Sequence, residues 1–112
     1  RLLLTDDLDV NQQSRSGSHP LLLASTSGHS RIVERLLDSG ASIDLKNSRG
    51  DTALIASVQA DHYATAKLLI GRGASTRAKN AMFVSARELL ASKEERWQQL
   101  VEEKTSFWSL ID

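Results

Sequence analysis

Sliding the sequence against itself gives one dominant offset, about 33 residues, a period typical of helical repeat proteins. At that spacing Gly17 falls on Gly50, Leu21 on Leu54, His29 on His62, Leu36 on Leu69 and Leu37 on Ile70. Gly40-Ala41-Ser42 falls on Gly73-Ala74-Ser75, and Lys46-Asn47 on Lys79-Asn80. The matches run along the whole unit, so local low complexity does not account for them. A chain that repeats at this interval builds one supersecondary unit more than once, and a single such unit cannot bury its own apolar face. The units must therefore stack.

Each copy parses into the same parts. A polar turn containing Gly comes first (NSRGD in the second copy), followed by a brief helix, PLLLAST or ALIASVQ. Pro20 suits a first helical position, where its missing N–H costs nothing. A Gly-His or Asp-His step leads into a second helix carrying Ile32, Val33, Leu36 and Leu37, or Ala66, Leu69 and Ile70, at one-face spacing. Gly40 and Gly73 are placed to stop those helices, since the residue just past a helix end often takes a left-handed conformation. The alternating SIDLKN segment is expected to lead into the next turn like the arm of a hairpin. Leu36, Leu37, Leu69 and Ile70 are expected to dominate the core, at roughly 1.5–3 kcal/mol for each large apolar side chain fully buried.

Gly50-Asp51-Thr52-Ala53-Leu54, Gly28-His29, Ile32-Val33 with Leu36-Leu37, and Gly40-Ala41-Ser42-Ile43-Asp44 together resemble ankyrin repeats. The resemblance covers two full units, 14–46 and 47–79, and extends into a truncated unit at 1–13, whose tail is DLDVNQQ, and a divergent one from Asn80 onward. It implies an all-α fold, an ankyrin-repeat solenoid of stacked helix-turn-helix units with β-hairpin-like fingers. The departures are local. Asp7 sits where Gly would end the helix of the first unit, His19 replaces a Thr, and Ser57-Val58 replace a small-residue pair. In the last unit Phe83 takes the place of the turn Gly and Arg87 that of a core Leu. A terminal repeat must present one face to solvent and is expected to diverge. Residues 85–112 are read as a C-terminal cap of one short and one longer helix, with Glu94 and Glu95 near the positive end of the second.

Few features of the chain carry chemistry. Without cysteine, a disulfide framework and a thiolate zinc site are excluded. His29 and His62 occupy equivalent places in adjacent units, so they are read as ordering the helix-helix turn by hydrogen bonding. They have no third ligand at metal-binding spacing. His19 is given a structural role at a helix start. Arg49-Gly50-Asp51 spells an adhesive tripeptide, yet its Gly is the repeat's own turn residue. GRGAS at Gly71–Ser75 follows a helix and does not open one, which is the wrong geometry for a phosphate cradle. No nucleophile-base set stands out, so neither catalysis nor a cofactor is expected.

Lys plus Arg equals Asp plus Glu at 14 each, which argues against a general nucleic-acid or membrane-surface binder. The charges are nevertheless uneven. Between Asp61 and Glu88 there is no acidic residue, while Lys67, Arg72, Arg77, Lys79 and Arg87 fall there; Asp6, Asp7 and Asp9 make the amino-terminal end acidic. This is either a solvated face or a docking patch for an acidic peptide.

The resemblance implies a concave surface made from finger tips and first helices that binds another protein or peptide. On this chain its finger positions are Arg15, Ser16, Ser18, Lys46, Ser48, Arg49, Asp51, Lys79 and Met82. Thr26, Ser27, Gln59 and Ala60 complete it from the helices. The expectation is an interaction module of an intracellular scaffold or adaptor, cytoplasmic or nuclear. The alternatives are a regulatory or targeting segment of a larger enzyme, and a spacer. Phe107, Trp108, Leu110 and Ile111 form a dense apolar tail that either packs on the last repeat or makes a second partner contact.

Overall fold

The computed structural model describes residues 10–93 together with 97 and 99. Its helices are α1 (Pro20–Ser27), α2 (Ser30–Asp38), α3 (Ala53–Gln59), α4 (Tyr63–Gly71) and α5 (Ala86–Ala91). The two matched segments take the same shape and lie side by side: α1 packs on α3, α2 on α4, and α3 also on α5. The expectations for Asp6, Asp7, Asp9, Glu94, Glu95 and the apolar tail at Phe107, Trp108, Leu110 and Ile111 lie outside the described residues.

The first helix of each unit starts at an equivalent cap. His19 Nδ1 accepts from the Leu22 N–H (3.4 Å), Thr52 Oγ1 from the Ile55 N–H (3.2 Å), and Ser85 Oγ from the Glu88 N–H (3.3 Å). Each satisfies a backbone donor that has no partner within the helix. Glu88 returns a bond to the Ser85 N–H, completing a reciprocal pair. His19 thus does the work of a Thr. Because its Nδ1 accepts, Nε2 carries the proton and donates to Leu45 O at 3.2 Å. Burial of the ring lowers the His19 pKa from its usual 6.5, against a smaller upward pull from the Leu45 bond.

The second helices end as the sequence predicts. Gly40 and Gly73 follow α2 and α4 at φ 97° and 95°. The next residues, Ala41 and Ala74, each donate to a carbonyl in the last helical turn, Leu36 O and Leu69 O, at 2.9 Å.

Burial corrects one expectation. The fully buried large side chains include Leu21, Leu54, Ile55 and Val58 from α1 and α3, with Val33, Leu69 and Leu90. Leu36, Leu37 and Ile70 are only partly buried against this core, and Ile32 is 50% exposed. The reason lies in the layering. α3 sits between α1 and α5 and also packs on α4, so it is apolar all round and buries every residue but the last. Among the described helices α2 packs only on α1 and α4, and Ile32 lies about 100° round the helix from buried Val33, beyond the edge of its seam.

The fingers are hairpin-like turns, each closed by a backbone bond: Ser14 N–H to Ser18 O (2.8 Å), Asn47 N–H to Asp51 O (3.1 Å) and Asn80 N–H to Val84 O (3.0 Å). No strand forms among the described residues; one isolated bridge joins Lys79 to Ser85. Side chains reinforce these backbone turns. Asn47 Oδ1 accepts from the N–H groups of Arg49 (2.9 Å) and Asp51 (3.0 Å), and Asn80 Oδ1 from those of Met82 (2.9 Å) and Val84 (3.1 Å). Successive fingers touch through backbone, with Ser48 N–H donating to Ser16 O (3.0 Å) and Ala81 N–H to Arg49 O (2.8 Å).

Candidate functional site

Where the first helices meet the second finger, a cavity of about 220 Å³ opens. α1 contributes Leu22 and Thr26; α3 and its cap contribute Ala56, Gln59 and Ala60; the finger contributes Asn47, Arg49 and Asp51. The cavity exists because the facing helix positions at Ala56 and Ala60 are small. One wall is fixed by Thr26, whose hydroxyl donates to Leu22 O at 2.9 Å. Behind that wall, His62 Nε2 lies 3.0 Å from Thr26 O, tying the next unit to the end of α1.

The charged groups have unequal roles. Asp51 is buried and accepts from Asn80 Nδ2 at 2.9 Å. Its other carboxylate oxygen is 3.6 Å from Arg49 Nε. The Asp51 side chain is 10% exposed and that of Arg49 80%. Asp51 therefore anchors the finger, while the terminal nitrogens of Arg49 project from it and can meet a planar anion. Burial of Asp51 also prevents Arg49-Gly50-Asp51 from being displayed as an adhesive tripeptide.

Of the positions singled out from sequence, Thr26, Arg49, Asp51, Gln59 and Ala60 come together in this cavity. Ser27 is exposed on α1 outside its lining. Arg15, Ser16 and Ser18 lie on the first finger, where the Ser16 hydroxyl is 3.1–3.2 Å from those of Ser14 and Ser18. Ser48 is an exposed link between fingers. Lys46 spends its ammonium group on Lys79 O at 2.9 Å, outside the cavity. Met82 stands 80% exposed at the third finger. Leu22, Asn47 and Ala56 were missed. Leu22 and Ala56 lie four residues before Thr26 and Ala60, on the same helix faces, and Asn47 recurs as Asn80, so each carried a readable signal.

The histidines also differ from expectation. His29 and His62 make no side-chain bond to the helix they precede. His62 reaches across to the neighbouring unit instead, and its ring lies where a Cβ on Gly28 would be, 2.6 Å from Nδ1. Among the described residues no cluster of three or more His, Cys, Asp or Glu could hold a metal ion, and no helix is long and apolar enough to cross a membrane.

Paired helices stacked side by side, with turn fingers along one edge and an open groove between, define a helical repeat solenoid built for protein contact. A family profile described as ankyrin repeats in three copies matches residues 1–80, and the chain belongs to the ankyrin repeat family. It is 37% identical over 75 residues to human ankyrin repeat domain-containing protein 17, covering 64% of this chain and 3% of that protein. Zygote-specific protein 3 of Chlamydomonas reinhardtii is 36% identical over 88 residues, 79% of this chain and 24% of its own length. A probable E3 ubiquitin-protein ligase of Oryza sativa, XBOS32, is 43% identical over 51 residues, 46% of this chain and 10% of its own length. The chain thus spans a small part of each of these relatives. Ankyrin repeats are protein-protein interaction modules.

Proposed function

We propose that this chain is the partner-holding part of a larger scaffold or adaptor within the cell, and that its groove takes an acidic peptide segment. The observation that carries the reading is Arg49: an exposed guanidinium at the rim of a small-floored cavity, with Asp51 touching only its Nε among the described residues. A partner carboxylate seated there makes the two-pronged contact that Arg favours. Gln59 and Ala60, from the end of α3, add hydrogen bonding and close approach to the same lining.

The test is capture from lysate by the wild-type chain and by Arg49→Glu, each checked by thermal melting. Loss of the captured partner at unchanged melting temperature supports the groove. Equal capture by both proteins sinks it.

A second reading has its own support, the likeness to the rice protein named as a probable ubiquitin ligase. On that reading the repeats select the substrate for a catalytic domain elsewhere in the same protein. Sequencing the transcript beyond residues 1 and 112 separates the two: an enzyme domain on the same chain favours the second.

A further inference from the structure

The fingers are joined by one repeating bond. The acceptors Ser16 O and Arg49 O are 33 residues apart, as are the donors Ser48 N–H and Ala81 N–H. One more step places Met82 O at the open end of the ladder, and among the described residues no backbone N–H donates to it. The first two fingers meet their successors so closely that glycine is required. A Cβ at Gly17 would lie 2.5 Å from Ser48 N, and one at Gly50 would lie 2.8 Å from Ala81 N. The third finger carries Phe83 at that position, at φ 64°, a left-handed backbone that an aromatic residue adopts only under strain. The fold gains little in return, because Phe83 is 76% exposed and Met82 beside it 80%.

The base of the same finger is basic. Lys79 is bridged to Ser85, Arg87 N–H donates to Thr76 O beside Arg77, and Lys46 Nζ rests on Lys79 O. Among the described residues no carboxylate pairs with Arg77, Lys79 or Arg87. Glu88, the nearest acid in sequence, is held by the Ser85 cap.

We infer that the third finger is a second docking point, and that its occupant is an extended acidic segment of a partner protein bearing one large apolar side chain. The segment's backbone N–H extends the ladder at Met82 O. Its apolar side chain lies on Met82 and Phe83, and its carboxylates meet the cations at the finger's base. The inference rests on the protein-binding reading of this fold but not on the groove at Arg49.

Two fluorescein-labelled peptides of about ten residues serve as probes, rich in Glu and Asp and differing only in a central Leu or Ala. Anisotropy titrations use the full chain at low salt. The wild-type chain is expected to bind the Leu peptide about tenfold more tightly than the Ala peptide. That ratio falls to near one in Phe83→Gly and in Met82→Ser, and it survives in Arg49→Glu even where that variant loses its captured partner. No binding of the Leu peptide, or a ratio retained in both finger variants, overturns the inference. So does a ratio lost in Arg49→Glu, which moves the apolar contact into the groove. Sedimentation showing a wild-type dimer that Phe83→Gly dissolves makes the occupant a second copy and also overturns it.

Discussion

The junction between the two matched units and the junction that follows the second are built differently. At the fingers both use the same close backbone approach, Gly17 beneath Ser48 and Gly50 beneath Ala81, and they part at the helix turns: the inner one seats Gly28 under the His62 ring and adds a 2.8 Å hydroxyl contact between Ser30 and Thr65 and an ion pair between Asp38 and Arg72. The outer one has no glycine at that turn. Asp61 stands in the place of Gly28 and pairs with Lys93, whose ammonium lies 5.1 Å from the Trp97 ring. Trp97 in turn meets Tyr63 edge-on, with centroids 5.1 Å apart. The apolar mass also moves. Arg87 is exposed where Leu21 and Leu54 are buried, and Leu90 is buried where the earlier copies have Ala24 and Ser57. A shift of three residues keeps the large side chain on the same helix face, one turn later. Where the inner turn keeps Gly28 small beneath a ring, the outer one fills the equivalent place with a charged side chain.

The largest effects fall on the inner core. Leu54→Ala removes a fully buried side chain from the helix that packs on both sides, and should cost about 3–4 kcal/mol in urea unfolding. Leu90→Ala, in α5, should cost about 2–3 kcal/mol. Equal losses would mean that α5 is as tightly held as α3. Next comes Gly28→Ala, expected to cost about 1–3 kcal/mol because it adds a collision with the His62 ring to an unfavourable φ of 75°. Gly40→Ala supplies the control, since its φ is 97° but a Cβ there meets nothing within 4 Å. If the two variants lose the same stability, the ring-on-glycine contact contributes nothing.

Much of this architecture was legible in the sequence because a repeat states its own alignment. Helix starts at Pro20 and Ala53, the stops at Gly40 and Gly73, and the oddity of Phe83 all followed from the offset. Burial was less legible. One-face spacing put Ile32 inside, but spacing alone does not say which edge of an apolar face the neighbouring helix covers. The groove was half legible: the helix and finger positions were named, yet exposure divided Arg49 from Asp51, and that depends on Asn80 from the following finger. Recurrence alone assigns His62 to its own turn, because a sequence shows which residues recur and not which neighbour each one reaches.

The caps give a titratable version of the comparison. His19 must stay neutral to accept from Leu22, whereas Thr52 and Ser85 in the same role do not titrate in this range. A folded-state pKa below the usual 6.5 means the unfolded chain takes up the proton first. The stability from this site is thus complete above about pH 6.5 and is lost as pH falls toward the folded value. Urea midpoints measured from pH 8 to 5 should decline over that window in the wild type and stay flatter in His19→Thr. Parallel curves would assign the acid sensitivity to other groups.

The smallest effect concerns the outer junction. The Lys93 ammonium beside Asp61 holds that carboxyl below its usual 3.8. Its contribution is therefore present at neutral pH and is lost only as the solution is acidified through the lowered value. The Asp61 carboxylate is exposed while Lys93 is half-buried, so salt should screen much of the attraction. Lys93→Met keeps an aliphatic stem beside Trp97 and removes the ion pair, which separates charge from packing. The variant should melt slightly lower than wild type in dilute buffer, and the gap should close at about 0.5 M NaCl. A gap that persists at high salt would mean that Lys93 joins the units through its contact with the Trp97 ring, making the outer junction an aromatic seal and not an electrostatic one.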